Sequence, residues 1–120
     1  ADNPEPAGRS AVDAVDKQSA RPDFQVLVFP GPRGIPATAV KNAPPAFLVA
    51  GSRDPCCAAP TVALYEQLRK SGVSAELHMY ADSGHAFNLD ESGRISILHW
   101  PDRLQDWMAD GGWLAPRTAK

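Results

Sequence analysis

The sequence predicts an α/β fold: a mostly parallel sheet with flanking helices. Three observations lead there. Two short apolar runs, residues 24–29 and 46–50, have the length and composition of strands. A helical pattern follows the second run and leads into an alternating segment at 75–80, and a strand–helix–strand succession implies parallel pairing through a crossover. An acid, Asp54, and a histidine, His85, each come directly after a strand, where ligands bind in open parallel sheets.

The elements follow in order. Residues 1–23 are polar and loop-like, with Pro4, Pro6, Gly8 and Pro22, and hold at most a helical turn at 11–15. The run at 24–29 is stopped by Pro30 and Gly31. Residues 30–45 carry five prolines and two glycines, so an ordered loop is expected there. The run at 46–50 is apolar without alternation, as in a strand covered on both faces. A helix is expected over 60–71, with Pro60 at its first position, Gly72 as its stop, and Arg69 and Lys70 in its last turn. Its apolar stripe is Val62, Tyr65 and Leu68, with Leu64. In the third strand Ala75, Leu77 and Met79 share a face, and this strand is expected to be more exposed than the second. Trp100, Leu104, Trp107 and Met108 mark a last helix, with Pro101 in its first turn and Gly111-Gly112 at its end. The domain therefore runs over 24–114, and 115–120 is a tail.

Composition sets the outer bounds. Of the 120 residues 43% are hydrophobic and three are tryptophan, enough for a packed core. A net charge of −2 gives no electrostatic case for nucleic acid or an anionic membrane as partner. No apolar run approaches the ~20 residues needed to span a bilayer. Cys56 and Cys57 are neighbours. They provide neither a disulfide framework nor a metal-binding or redox Cys-x-x-Cys spacing, and a relaxed disulfide between adjacent cysteines is not expected. They leave the compartment open. Three parallel strands form a small sheet whose edges invite further pairing, which points to a part of a larger assembly.

The chemistry concentrates in Gly51-Ser52-Arg53-Asp54-Pro55 and Ser83-Gly84-His85-Ala86-Phe87. An acid on one strand-end loop and a histidine on the next are two members of a Ser-His-Asp triad. No Gly-x-Ser-x-Gly occurs in these 120 residues, and Gly8-Arg9-Ser10-Ala11-Val12 lacks both the last glycine and a preceding strand. Asp54 also reads as a turn residue before Pro55. Asp82 is too close in sequence to His85 for the usual orientation, His78 reads as a strand residue, and His99 as a packing residue near a helix start. Asp54, His85 and the cysteines are all ligand types, yet no paired spacing supports a metal site, and no cofactor is expected. The cysteines read as small buried side chains rather than nucleophiles.

Asp54 after a strand, the helix ending Leu68-Arg69-Lys70-Ser71-Gly72-Val73, the strand Ala75-Glu76-Leu77-His78-Met79-Tyr80, and Ser83-Gly84-His85-Ala86-Phe87 together resemble the C-terminal part of α/β-hydrolase esterases. Trp100-Pro101, Arg103-Leu104 and Asp106-Trp107-Met108 are similar to the final helix of the acetyl-esterase and acetylxylan-esterase-like branch, related to dienelactone hydrolase and prolyl oligopeptidase domains. The resemblance covers residues 20–114, about half of such a domain. It implies a partial α/β-hydrolase fold in which Asp54 is the triad acid and His85 the general base. The nucleophile elbow and oxyanion donors would lie before residue 1, on a nucleophile-bearing half or second chain. The implied substrate is a small acyl ester, with acetyl groups on sugars as one class. The rival expectation is an inactive truncated hydrolase domain serving as an interaction module, or a homo-oligomer joined at the open sheet edge.

Overall fold

The computed structural model describes residues 21–34, 42–85, 87 and 94–114. The expectations for residues 1–20, for 35–41 of the proline-rich loop and for the tail lie outside these residues. Three strands, β1 (Gln25–Val28), β2 (Ala46–Gly51) and β3 (Ala75–Tyr80), form a sheet in the order β1-β2-β3. Both pairings are parallel: Gln25 sits opposite Ala46, and β2 runs in register with β3 from Ala46–Ala75 to Gly51–Tyr80. Helix α1 (Ala58–Lys70) connects β2 to β3, and α2 (Ile95–Leu98) and α3 (Trp100–Asp110) follow β3.

Strand β2 is buried along its whole length, because its side chains alternate between two cores. Ala46 and Leu48 pack with Leu64, Leu68 and Val73 on the α1 side. Phe47 and Val49 pack with Phe87, Ile97 and Trp107 on the α2–α3 side. Full burial contributes about 1.5–3 kcal/mol for each of the larger of these side chains. The edge strands are only partly covered, and β3 is more exposed than β2, as its alternation predicts.

Helix α1 departs from expectation at its start. It begins two residues early, with Cys57 as N-cap, so Pro60 occupies the third helical position. Proline is still tolerated there, since the first turn's N–H groups have no partners within the helix. The buried stripe is Thr61, Leu64 and Leu68, while Val62 is 43% exposed. Thr61 can be buried because its hydroxyl donates to the Cys57 carbonyl at 2.6 Å. At the other end Gly72 adopts φ +79°, and the Val73 N–H closes back on the Leu68 carbonyl at 3.0 Å. That closure turns Val73 into the core beside Leu68.

Helix α3 matches the expected pattern, with Pro101 in its first turn and Trp107 buried. The Trp113 N–H bonds to the Met108 carbonyl, which folds Trp113 back against Trp107 and Phe24, at ring separations of 5.0 and 4.7 Å. The short helix α2 was not anticipated, although its Ile97 is fully buried.

The last residue of β2 is glycine for a steric reason. A Cβ there would collide with the Ser83 carbonyl oxygen and lie 2.6 Å from that of Gly84. The loop after β3 therefore crosses directly over the end of β2. We expect Gly51→Ala to destabilise the fold by about 1–3 kcal/mol through overpacking against backbone. Urea denaturation would measure this, and an unchanged midpoint would contradict the close approach.

Candidate active site

The site is assembled by two strand-end loops lying against each other. The first leaves β2 through a turn in which the Asp54 N–H donates to the Gly51 carbonyl at 3.1 Å. The second leaves β3 through Asp82, whose φ of 57° is the left-handed conformation that aspartate tolerates better than most residues. Four contacts join the loops. Ser52 N–H donates to the Tyr80 carbonyl at 2.8 Å, and Arg53 N–H to the Ser83 carbonyl at 2.9 Å. The Asp82 N–H donates to Ser52 Oγ at 3.1 Å, and the Arg53 guanidinium pairs with the Asp82 carboxylate at 3.0 Å.

Asp54 and His85 meet at this junction. His85 Nδ1 lies 2.7 Å from Asp54 Oδ2. The Asp54 side chain is fully enclosed, whereas that of His85 is 52% exposed. The other carboxylate oxygen, Oδ1, accepts the N–H groups of Cys56 at 2.9 Å and Cys57 at 3.1 Å. Asp54 thus fills its turn-residue role with one oxygen and holds the histidine with the other. Burial by itself raises the Asp54 pKa. The hydrogen bond from His85, followed by those from the Cys56 and Cys57 amides, outweighs burial and leaves the pKa below its ordinary value of 3.8. An ionised carboxylate only accepts hydrogen bonds, so the shared proton belongs on His85 Nδ1. The Nε2 of neutral His85 is then an acceptor and a candidate base.

Phe29 supplies one wall. It ends β1 with φ 52°, a conformation costly for an aromatic residue, and its ring stands 5.7 Å from the His85 ring and edge-on to Phe87 at 4.7 Å. The sequence carried little signal for Phe29, because its backbone conformation cannot be read from its identity. The loop-joining roles of Ser52, Arg53 and Ser83 depend likewise on a register unknown until the strands are paired.

The remaining candidates take other positions. Asp82 pairs with Arg53 and Arg94. His78 sits in β3, 2.8 Å from Glu76 and facing the rings of Phe47 and Tyr80. His99 does not pack into the core. It is the exposed N-cap residue of α3 and pairs with Asp102 at 3.1 Å. The hydroxyls of Ser52 and Ser83 are engaged with loop backbone.

The cysteines require a correction. Cys56 and Cys57 are joined in a disulfide, with Cα atoms 3.7 Å apart. The turn that presents both amides to Asp54 also brings both sulfurs to one side. Cys57 is buried, as expected, but Cys56 is exposed. The ligand-type atoms of Asp54, Cys56, Cys57 and His85 all lie within 4.8 Å of one another, a cluster that sequence spacing did not suggest.

A parallel sheet with an acid and a histidine meeting beyond its carboxyl ends is a portion of an α/β-hydrolase fold. The dienelactone hydrolase family profile matches residues 8–110, and the chain belongs to that family. Solved structures agree on the fold. The acetyl ester-xyloside bifunctional hydrolase from Caldicellulosiruptor lactoaceticus superposes with a TM-score of 0.70 at 23% identity, over 86% of this chain and 47% of that one. The carboxylesterase Cest-2923 from Lactobacillus plantarum WCFS1 gives 0.68 at 16% identity, over 83% and 48%. Esterase 2 from Thermogutta terrifontis, phosphoramylated by tabun, gives 0.67 at 19%, over 82% and 45%. The chain spans just under half the length of each of these structures. A search of curated proteins finds no match.

The lowered pKa of Asp54 has a direction in stability. The folded protein keeps this carboxylate ionised at pH values where the unfolded chain protonates it. Its contribution is therefore full above about pH 4 and is lost as pH falls through the lower folded value. We expect the stability difference between the native protein and Asp54→Asn to shrink as pH falls from about 5 toward 2. Paired denaturant titrations would measure it, and a pH-independent difference would contradict the assignment.

Proposed function

We propose that this chain carries the acid and the base of a serine carboxylic-ester hydrolase, with the nucleophile supplied outside the described residues. The observation that carries the proposal is the 2.7 Å contact between His85 Nδ1 and buried Asp54 Oδ2 at the carboxyl ends of adjacent parallel strands. Family membership supports a hydrolase, and the esterase names of the structural relatives support ester substrates.

In this reading His85 Nε2 takes the proton of a serine hydroxyl as it attacks the acyl carbon. Asp54 holds the ring in the tautomer that leaves Nε2 free and stabilises the imidazolium that forms. His85 returns the proton to the leaving alcohol, then activates the water that hydrolyses the acyl-serine. Oxyanion donors, which supply a large share of such rate enhancements, would come with the nucleophile. A small acyl group, acetyl among them, is the proposed substrate class, in line with the Caldicellulosiruptor relative's name. The partly covered edge strands β1 and β3 offer the surface on which a nucleophile-bearing half would pair.

The test is ester turnover by the protein containing this chain, with and without His85→Ala, together with intact-mass analysis after a fluorophosphonate probe. The expected result is a fall in kcat of at least about 10²–10⁴-fold, the usual contribution of a general base. The label is expected on a serine outside the described residues. Unchanged turnover would overturn the reading, and the absence of both turnover and label would favour an interaction module built on the same sheet edges.

A further inference from the structure

The Cys56–Cys57 pair has no part in the ester chemistry, yet it lies against the residues proposed to perform it. Within residues 54–57 the chain presents a carboxylate and two sulfurs, and His85 adds an imidazole. The ligand-type atoms of all four lie within 4.8 Å of one another. A tetrahedral ion with bonds of about 2.0–2.3 Å holds its ligand atoms roughly 3.3–3.8 Å apart, a spacing near that of this cluster once the bonded sulfurs separate. While the disulfide stands, the sulfurs are not thiolates and the set is incomplete.

We propose that opening the disulfide creates a site for a thiophilic divalent cation, such as zinc or cadmium, formed by Asp54, Cys56, Cys57 and His85. Two thiolates, an imidazole and a carboxylate select soft and borderline metals over calcium or magnesium. Three further observations favour the site. Cys57 is the N-cap of the 13-residue helix α1, where the helix dipole favours a thiolate. The amides of Cys56 and Cys57 hold Asp54 Oδ1, so Oδ2 is the oxygen an ion would take, in place of the His85 proton that it accepts here. Cys56 lines an open cleft with Leu27, Pro30, Gly31 and Arg33, which gives both a reductant and an ion a way in.

The opening step is thiol–disulfide exchange with a dithiol reductant. Its thiolate attacks the exposed Cys56 sulfur, the Cys56–Cys57 bond breaks, and the electron pair leaves on Cys57. The reductant's second thiol then displaces Cys56 and closes the reductant's own disulfide. In sum, the protein disulfide gains two electrons and two protons, and the dithiol loses them. The ion then displaces the thiol protons as it binds. Bound there, it would occupy both Asp54 and His85. The consequence, an esterase silenced by metal under reducing conditions, rests on the function proposed above, whereas the binding itself does not.

The experiment is a cadmium titration of the full chain, reduced and then freed of reductant, alongside the oxidised chain. The readout is the ultraviolet cadmium–thiolate charge-transfer band. The expected result is one equivalent bound by the reduced chain, with no such band from the oxidised chain. Cys57→Ser should reduce affinity strongly. His85→Gln, a change at a half-exposed side chain that leaves the core intact, should weaken it by at least about 10–100-fold, the cost known for losing even an outer partner of a metal ligand. Absence of the band from the reduced chain would overturn the proposal. So would equal affinity of native and His85→Gln protein, since the dithiol alone would then be the ligand. A reduced chain that binds cadmium but belongs to a protein without ester turnover would overturn the esterase reading and leave the metal site standing.

Discussion

The carboxylate of Asp54 is the point on which the two halves of the structure depend. One oxygen organises the start of α1 by accepting the Cys56 and Cys57 amides, and the other holds His85 on a loop 31 residues away. A buried carboxylate without partners would be costly. Here its hydrogen bonds more than offset burial, and the group stays ionised. Crossover helix, strand end and histidine loop are thereby fixed by one side chain. The same arrangement leaves Nε2 of a half-exposed imidazole without a hydrogen-bond partner among the described residues.

The loops around Asp54 explain why a flexible-looking sequence can hold this geometry. Gly51 lets the backbone at 83–84 cross the end of β2, and Ser52, Arg53 and Asp82 join the two loops by hydrogen bonds and an ion pair. The ion pair is exposed and contributes little by itself. The close backbone approach and the Asp54 bonds do most of the positioning. Phe29, held with a positive φ just after β1, brings the end of β1 to the same place.

Much of this was legible in the sequence because it rests on patterns of period and punctuation. The unbroken apolar run at 46–50 marks the central strand, and the positions of Asp54 and His85 just after strands place both side chains at neighbouring strand ends, where they meet. What was not legible depended on pairings between distant residues. The start of α1 was misplaced because proline at a first position is the stronger textual cue, whereas the cap is set by Asp54 and Cys57. Spacing puts Val62 in the apolar stripe, and it cannot foresee that Thr61 is buried instead by satisfying its hydroxyl on the Cys57 carbonyl. Ordinary disulfide geometry wants more distance between Cα atoms than neighbouring cysteines allow, so the pairing of Cys56 with Cys57 is not expected from sequence, and the turn that Asp54 organises places their sulfurs together. The tryptophan beside His99 suggests packing, whereas the side chain pairs with Asp102 at the surface.

The site turns on a single proton, held by His85 Nδ1 and directed at Asp54. Proton NMR of the chain in water at neutral pH tests it directly. A hydrogen bond of 2.7 Å to a buried, ionised carboxylate should give a downfield imidazole N–H resonance. We predict that this resonance is present in the native protein and lost in both Asp54→Asn and His85→Ala. Its absence from the native protein, or its persistence in Asp54→Asn, would contradict the arrangement from which the rest of the site is derived.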